Sequence, residues 1–271
     1  MKLIQSRDNP TLKRVRRLIE SSQARRREGV SVLEGIHLCG AYLRQVGAPE
    51  LMLVRSDRVD HPEIAGLIRH IDPRLAVAVD ADLFSDVEQV ESGQGVIFIA
   101  PTPTPEMPQQ IDSACVLLDR VQDPGNVGAV MRTCAAAGVG TVALSSGCAF
   151  AWSPKVLRAG MGAHFALTIH EDCDLAAFIG LLAVPLMATS SHAALSLYAA
   201  DLSSPVAWLF GNEGAGLEAA LLVRAAHVVS IPLSGETESL NVAAAAAVCL
   251  FEARRQQGVT QVIDRESAKR L

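Results

Sequence analysis

Nine short apolar runs recur along the chain, with sequence of helical character between them, and this alternation leaves few folds open. Four come early, VSVLE at 30–34, ELMLV at 50–54, LAVAV at 75–79 and VIFIA at 96–100. Five come later, CVLLD at 115–119, TVALS at 141–145, PLMAT at 185–189, VAWLF at 206–210 and HVVSIP at 227–232. Strands that are apolar throughout, rather than at every second residue, are buried on both faces, and helices between them supply the cover. The fold class expected is α/β, with a mainly parallel sheet carrying helices on both faces in the C-terminal part and a smaller α/β unit before it. With 271 residues, 49% apolar and 20% charged, the chain has an ordinary globular composition and length enough for one large or two ordinary domains. The segment PTPTPEMPQQ, 101–110, holds four of the thirteen prolines and has no apolar period, as in an extended linker. The boundaries expected are therefore 1–100, a linker at 101–110, and 111–271, with the last unit able to fold from near Gln109.

Several classes of function are disfavoured. No charge-free apolar run approaches the roughly 20 residues of a membrane span. The opening MKLIQSRDNP lacks the apolar stretch of a secretion signal, so a soluble cytoplasmic protein is expected. The six cysteines, at 39, 115, 134, 148, 173 and 249, form no CxxC pair, and neither a metal site nor a disulfide scaffold is expected. Net charge is −5, but it is uneven: residues 1–27 carry nine Lys and Arg against two acids, whereas 101–271 carry ten against fifteen.

In a parallel sheet, ligands gather at the carboxyl ends of strands, which directs attention to three loops. After CVLLD comes DRVQDPGNVGAVMRT, where Asp-Pro-Gly signals a turn and Asn126 can cap a helix ending at Gly138. Gly128 would let a ligand or another backbone come close, and Arg132, nearly two turns beyond Asn126, is expected on roughly the same side. After VAWLF comes GNEGAGLEAALL, whose GxxGxG spacing, without Lys-Ser/Thr, is neither a dinucleotide fingerprint nor a P-loop. GMGAHF at 160–165 lacks that fingerprint's third glycine as well. The third loop, Ser234 to Ser239, leads into a helix that opens at Leu240 and Asn241 and whose five alanines allow close approach to a neighbour. In the N-terminal part, Leu12, Val15, Leu18 and Ile19 form an apolar stripe that leaves Lys13, Arg14, Arg16 and Arg17 outside.

Taken in order, NVGAVMRT, LFGNEGAGL and IPLSGETESLNVAAAAA resemble the three signature motifs of the SpoU (TrmH-like) branch of the SPOUT RNA methyltransferases. KVLRAGMGAHF is similar to the segment that follows the second strand in that family, and SRDNPTLKRVRRL with VLEGIHLCGAYL resembles its ribosomal-protein-like substrate-binding domain. The resemblance implies a homodimer with a deep trefoil knot, S-adenosylmethionine held in a bent conformation, and transfer of its methyl group to a ribose 2′-hydroxyl of RNA, most readily ribosomal RNA, with tRNA less favoured and no DNA. It implies cofactor binding largely by backbone around Gly211, Ile231 and Leu240. It further implies an acceptor site of Arg132, Asn126, Glu213, Ser239 and Asn241, and RNA contacts from Arg7, Lys13, Arg14, Arg16 and Arg17. His164 and His192 are rival candidates for a base. The alternative is a non-catalytic RNA-binding protein with a degenerate domain of this type; the polar residues retained in all three motifs speak against it.

Overall fold

The structure, a computed structural model, describes residues 1–89, 93–235, 237 and 239–258. The first part contains strands β1 (Lys2–Ile4), β2 (Val30–Glu34), β3 (Leu51–Arg55), β4 (Ala76–Val79) and β5 (Val96–Pro101), with helices α1 (Pro10–Glu20), α2 (Ser22–Glu28), α3 (Ile36–Gln45), α4 (Pro62–Ile68) and α5 (Ala81–Ser85). These strands make one sheet in the order β1-β4-β3-β5-β2, with β5 antiparallel to both its neighbours and the other pairs parallel. Asn9 starts α1 by accepting from the Thr11 N–H, Pro10 takes the first helical position, and Leu12, Val15 and Leu18 are buried on the sheet side.

A seven-stranded sheet follows, composed of β6 (Cys115–Leu118), β7 (Thr141–Ser145), β8 (Thr168–Cys173), β9 (Leu186–Thr189), β10 (Leu195–Ser196), β11 (Ala207–Phe210) and β12 (His227–Ser230). Its order is β10-β12-β9-β11-β6-β7-β8, and every pairing is parallel. Between and after these strands run α6 (Pro124–Ala137), α7 (Pro154–Gly160), α8 (Leu175–Ile179), α9 (Ala219–Leu222) and α10 (Val242–Gln256). Successive strand residues serve opposite faces: Val116, Leu118, Val142 and Trp208 meet α6, α7 and α10, whereas Cys115, Leu117, Ala207 and Leu209 meet α8 and α9. The parallel sheet covered on both faces is thus present. Three strands lie outside the apolar runs: β1 and β10 are only three and two residues long, and β8, TIHEDC, is polar and bulged at the sheet edge.

Helix α6 begins before the position that the sequence suggests. Asp123, not Asn126, is its cap, accepting from the Asn126 N–H, and Pro124 holds the first helical position, so Asn126 lies inside the first turn. The helix ends as expected, at Gly138, whose φ of 82° gives a left-handed cap. Gly128 faces α7 at very short range: a Cβ there would lie 2.6 Å from the Val156 carbonyl oxygen and 2.5 Å from the Ala159 Cβ. It is the second of the two possibilities, another backbone, that this glycine accommodates. On its other side α6 receives α10, where Ala246, Cys249, Leu250 and Ala253 are buried.

The Pro-rich segment carries no helix or strand between Pro101 and Ile111. It separates the two sheets but not the apolar interior, which runs continuously from Leu33, Tyr42 and Phe98 to Trp152, Leu157 and Val116. Tyr42 meets Phe165 edge to face with ring centroids 5.3 Å apart, and Arg26 lies 4.3 Å above the Phe150 ring while pairing with Asp172 at 2.6 Å.

Gly128→Ala separates two opposing effects. The substitution favours a helix interior by about 1 kcal/mol, while overpacking against a backbone costs about 1–3 kcal/mol or more. Net destabilisation of about 2 kcal/mol is expected in urea unfolding; a variant more stable than wild type would mean that α7 stands farther from α6.

Candidate active site

A cavity of about 930 Å³ opens where β9, β11 and β12 end. Its walls are the turn Thr189–His192 after β9, the glycine loop Gly211–Leu217 after β11, Ile231 after β12, and Ser239, Leu240 and Asn241 at the entry to α10. All three cofactor positions implied by the motifs, Gly211, Ile231 and Leu240, therefore share one space with Glu213, Ser239 and Asn241.

The glycine loop is fixed from within and from below. Asn212 Oδ1 accepts from the N–H groups of Gly214 and Ala215, both at 2.9 Å, and its Nδ2 donates to the Arg120 carbonyl at 2.8 Å. Backbone bonds between Asn212 and Gly216 close the turn. Gly211 is not among the glycines with positive φ; the residue with left-handed backbone is Gly216, at φ 67°. What Gly211 provides is room, since a Cβ on it would lie 2.6 Å from the Gly216 carbonyl carbon and from the Leu217 nitrogen. Below the loop, buried Asp119 at the end of β6 pairs with Arg120 at 2.9 Å and accepts from the Glu218 N–H at 3.1 Å. Asp119 and Asn212 do not stand out in the sequence. The signals were there, an acid ending an apolar strand and an Asn opening a glycine turn, but each also fits an ordinary loop.

Glu213, Asn126 and Asn241, up to 115 residues apart, form one hydrogen-bonded line. Asn241 caps α10, its Oδ1 accepting from Ala243 N at 2.9 Å and Ala244 N at 3.3 Å. That turns its Nδ2 toward Asn126 Oδ1 at 2.9 Å, and Asn126 Nδ2 in turn donates to Glu213 Oε1 at 2.9 Å. Each amide orientation is dictated by the next partner, so the carboxylate is held by a chain of donors anchored in a helix terminus.

Arg132 is placed differently from the sequence expectation. Six residues along a helix of 3.6 residues per turn end about 120° from the starting direction, so it does not share the side of Asn126. It is exposed, outside the cavity wall, and makes no hydrogen bond or salt bridge among the described residues. The five N-terminal cations are likewise not open as their composition suggests. Arg7 and Arg16 pair with Asp86, Lys13 with Asp8, Arg14 with Glu28 and Glu50, and Arg17 with Glu28. Three of these carboxylates, Glu28, Glu50 and Asp86, lie outside the basic segment and reach it only in the fold.

Of the rival bases, His192 lies in the cavity wall and His164 does not. His164 is buried beside Trp152, and its Nε2 donates to the Ala151 carbonyl oxygen at 2.9 Å. Burial holds its imidazole neutral, moving its pKa from 6.5 down to about 4. It is a core residue. The unfolded chain takes this proton near pH 6.5 and the native chain only near pH 4, so its contribution is complete above 6.5 and is lost as pH falls through that window. Half-buried Glu171 opposes it, because burial raises its carboxyl pKa from 4.5 to about 7 and native stability then falls as pH rises. In Glu171→Gln, which removes the opposing titration, stability measured by urea unfolding should rise by roughly 3 kcal/mol between pH 4 and 6.5. A flat profile would show that His164 is open to protonation in the native state.

Comparison with known proteins agrees with this geometry. Residues 113–251, which span the cavity and all three loops, match the model of the SpoU rRNA Methylase family. The 23S rRNA (guanosine(2553)-2′-O)-methyltransferase RlmP of Bacillus subtilis is 31% identical over 258 residues, covering 94% of this chain and 100% of the relative. Among solved structures, the SpoU methyltransferase AviRb of Streptomyces viridochromogenes in complex with AdoMet is similar at TM-score 0.81 and 25% identity, over 93% of this chain and 100% of its own. The AdoMet-bound rRNA methyltransferase of Sinorhizobium meliloti is similar at TM-score 0.81 and 29% identity, over 94% and 97%. The chain belongs to the SpoU rRNA methylase family.

Proposed function

We propose that this protein is a cytoplasmic, homodimeric enzyme that methylates a ribose 2′-hydroxyl of structured RNA, ribosomal RNA before tRNA, using S-adenosylmethionine. The observation that carries the reading is that the second and third motif loops line one cavity, while Asn126 of the first is bonded to Asn241 and to Glu213 in its wall. At about 930 Å³ the cavity is ample for a nucleoside-sized cofactor, and its turns present backbone groups at Gly211, Ile231 and Leu240 to hold one. When bound, S-adenosylmethionine supplies a methyl group already activated by positive charge.

What remains for the chain is to place the acceptor hydroxyl and stabilise the charge that develops on it. Glu213, Asn126, Ser239 and Asn241 are assigned to orient the acceptor nucleotide. Arg132 is assigned as a fixed cation beside the substrate phosphate and the developing alkoxide, since a guanidinium does not accept a proton in proteins. Its exposure and its lack of a partner among the described residues support this assignment. The order β9-β11-β6, with β12 outside β9, supports the knotted threading of the family, and Phe251, 48% exposed on α10 beyond Ala244 and Val248, supports a second copy covering that helix. The division into 1–100, 101–110 and 111–271 is kept as a functional one, with substrate recruitment in the first part.

Two substitutions separate these roles. Arg132→Ala should lower methyl transfer to 23S rRNA transcripts by at least about 100-fold while cofactor affinity in isothermal titration is unchanged. Activity near wild type would remove Arg132 from the mechanism. Gly211→Val should act in the opposite order: a branched side chain displaces Gly216 and Leu217, so cofactor binding is lost first. Retained cofactor affinity with weakened RNA binding would reverse the assignment of this loop.

A further inference from the structure

A second, smaller cavity of about 190 Å³ lies at the junction of the two sheets, between the turn joining β2 to α3 and the C-terminal end of α7. Leu38, Leu157 and Met161 make its apolar walls, and Glu34, Gln94 and Arg158 its polar edges. We infer that this cavity receives an unpaired base of the substrate RNA. The inference rests on the RNA methyltransferase reading above and adds to it a recognition site distinct from the acceptor site.

The walls are arranged for a flat, partly polar guest. The volume is below the roughly 300 Å³ at which pockets for whole small molecules begin. Gln94 spends its carbonyl oxygen on the Ile36 N–H at 2.7 Å, which leaves its amide NH₂ without a hydrogen bond among the described residues. The Arg158 side chain is 35% exposed, and its Nη1 reaches Glu34 only at 3.9 Å. Donors beside an apolar slot suit the edge and face of an unstacked base, which is how proteins read RNA sequence.

Met161 is the least economical feature. It ends α7 with φ at 50°, a left-handed position that glycine takes without strain, and its side chain is 48% exposed at the cavity mouth. A soft, flexible thioether kept there at conformational cost fits a wall that must close over a planar ligand. The surrounding charge agrees: Lys155, one turn before Arg158 on α7, and Arg58, packed on Gly95 beside Gln94 with Asp57 nearby, form no salt bridge among the described residues. By contrast, the basic residues of α1 are paired with carboxylates. Through Gly128, α7 is in contact with the helix that carries Asn126, and Met161 directly follows Gly160 at that contact.

The test uses the full chain and 23S rRNA transcripts substituted with 4-thiouridine or 6-thioguanosine, crosslinked and read by peptide mass spectrometry. Crosslinks are expected on the peptides holding Leu38 and Met161. Met161→Glu, which sets a carboxylate at the mouth, should weaken transcript binding about tenfold with cofactor affinity unchanged. Met161→Gly removes the wall and relieves the backbone, so it folds at least as well as wild type and should weaken binding about threefold. Crosslinks confined to α1, or wild-type affinity in both variants, would overturn the cavity while leaving the enzyme assignment standing. Failure of the wild-type protein to bind or methylate either 23S rRNA or tRNA transcripts would overturn the RNA reading and the cavity with it.

Discussion

The approach of α7 to α6 at Gly128 sets the arrangement of most of the molecule. With a hydrogen in place of a side chain, α6 can lie against the Val156 carbonyl and the Gly160 nitrogen, positions that a Cβ would reach at 2.6 and 2.9 Å. That contact fixes α7, and α7 in turn is the surface on which β2 and the first sheet rest. It also fixes the N-terminal turn of α6, where Asn126 meets Glu213 and Asn241. A single close helix crossing thus ties the placement of the N-terminal sheet to the geometry of the acceptor site. Because packed interiors transmit displacement rather than absorb it, the two are positioned as one body.

The same economy appears within the site. Asn241 has two duties: its oxygen satisfies the open amides of α10 and its nitrogen reaches Asn126. The helix cap therefore selects the amide orientation that the next residue needs, and Glu213 at the end of the line has an ordered donor. Asp119 and Asn212 do comparable work for the glycine loop, converting a flexible sequence into a fixed turn through hydrogen bonds to backbone groups. Preorganisation of this kind lets a site orient a substrate without reorganising when it arrives.

How much of this could be read from the residues depends on the range of the interaction. The nine apolar runs all became strands because burial on both faces is written into each run locally, and the motif loops emerged at strand ends because a parallel sheet puts them there. Strand β8 was not legible: TIHEDC has an edge position and a bulge, and polar residues at an edge carry no period. The start of α6 was misplaced because Asp123 and Asn126 are both good caps, and only the Pro at the first position decides between them. Arg132 faces away from Asn126 because six residues fall short of two full turns by about 120°.

Charge shows the limit of local reading most clearly. The first 27 residues hold a large excess of cations over acids, which in isolation describes a strongly electropositive segment. In the fold, Glu28, Glu50 and Asp86 come from the next helix, the bend before β3 and a distant turn to meet Arg7, Arg14, Arg16 and Arg17. Exposed pairs of this kind stabilise little, roughly 0–1 kcal/mol each, so their effect is on the field rather than on the fold. They reduce the attraction of α1 for a polyanion and leave cations near the junction of the two sheets with a larger share of it. A phosphate must compete with a carboxylate at α1, whereas Lys155 forms no salt bridge among the described residues and stands on α7, the helix packed against the one that carries Asn126, so attraction for a polyanion is shifted from α1 toward the acceptor side.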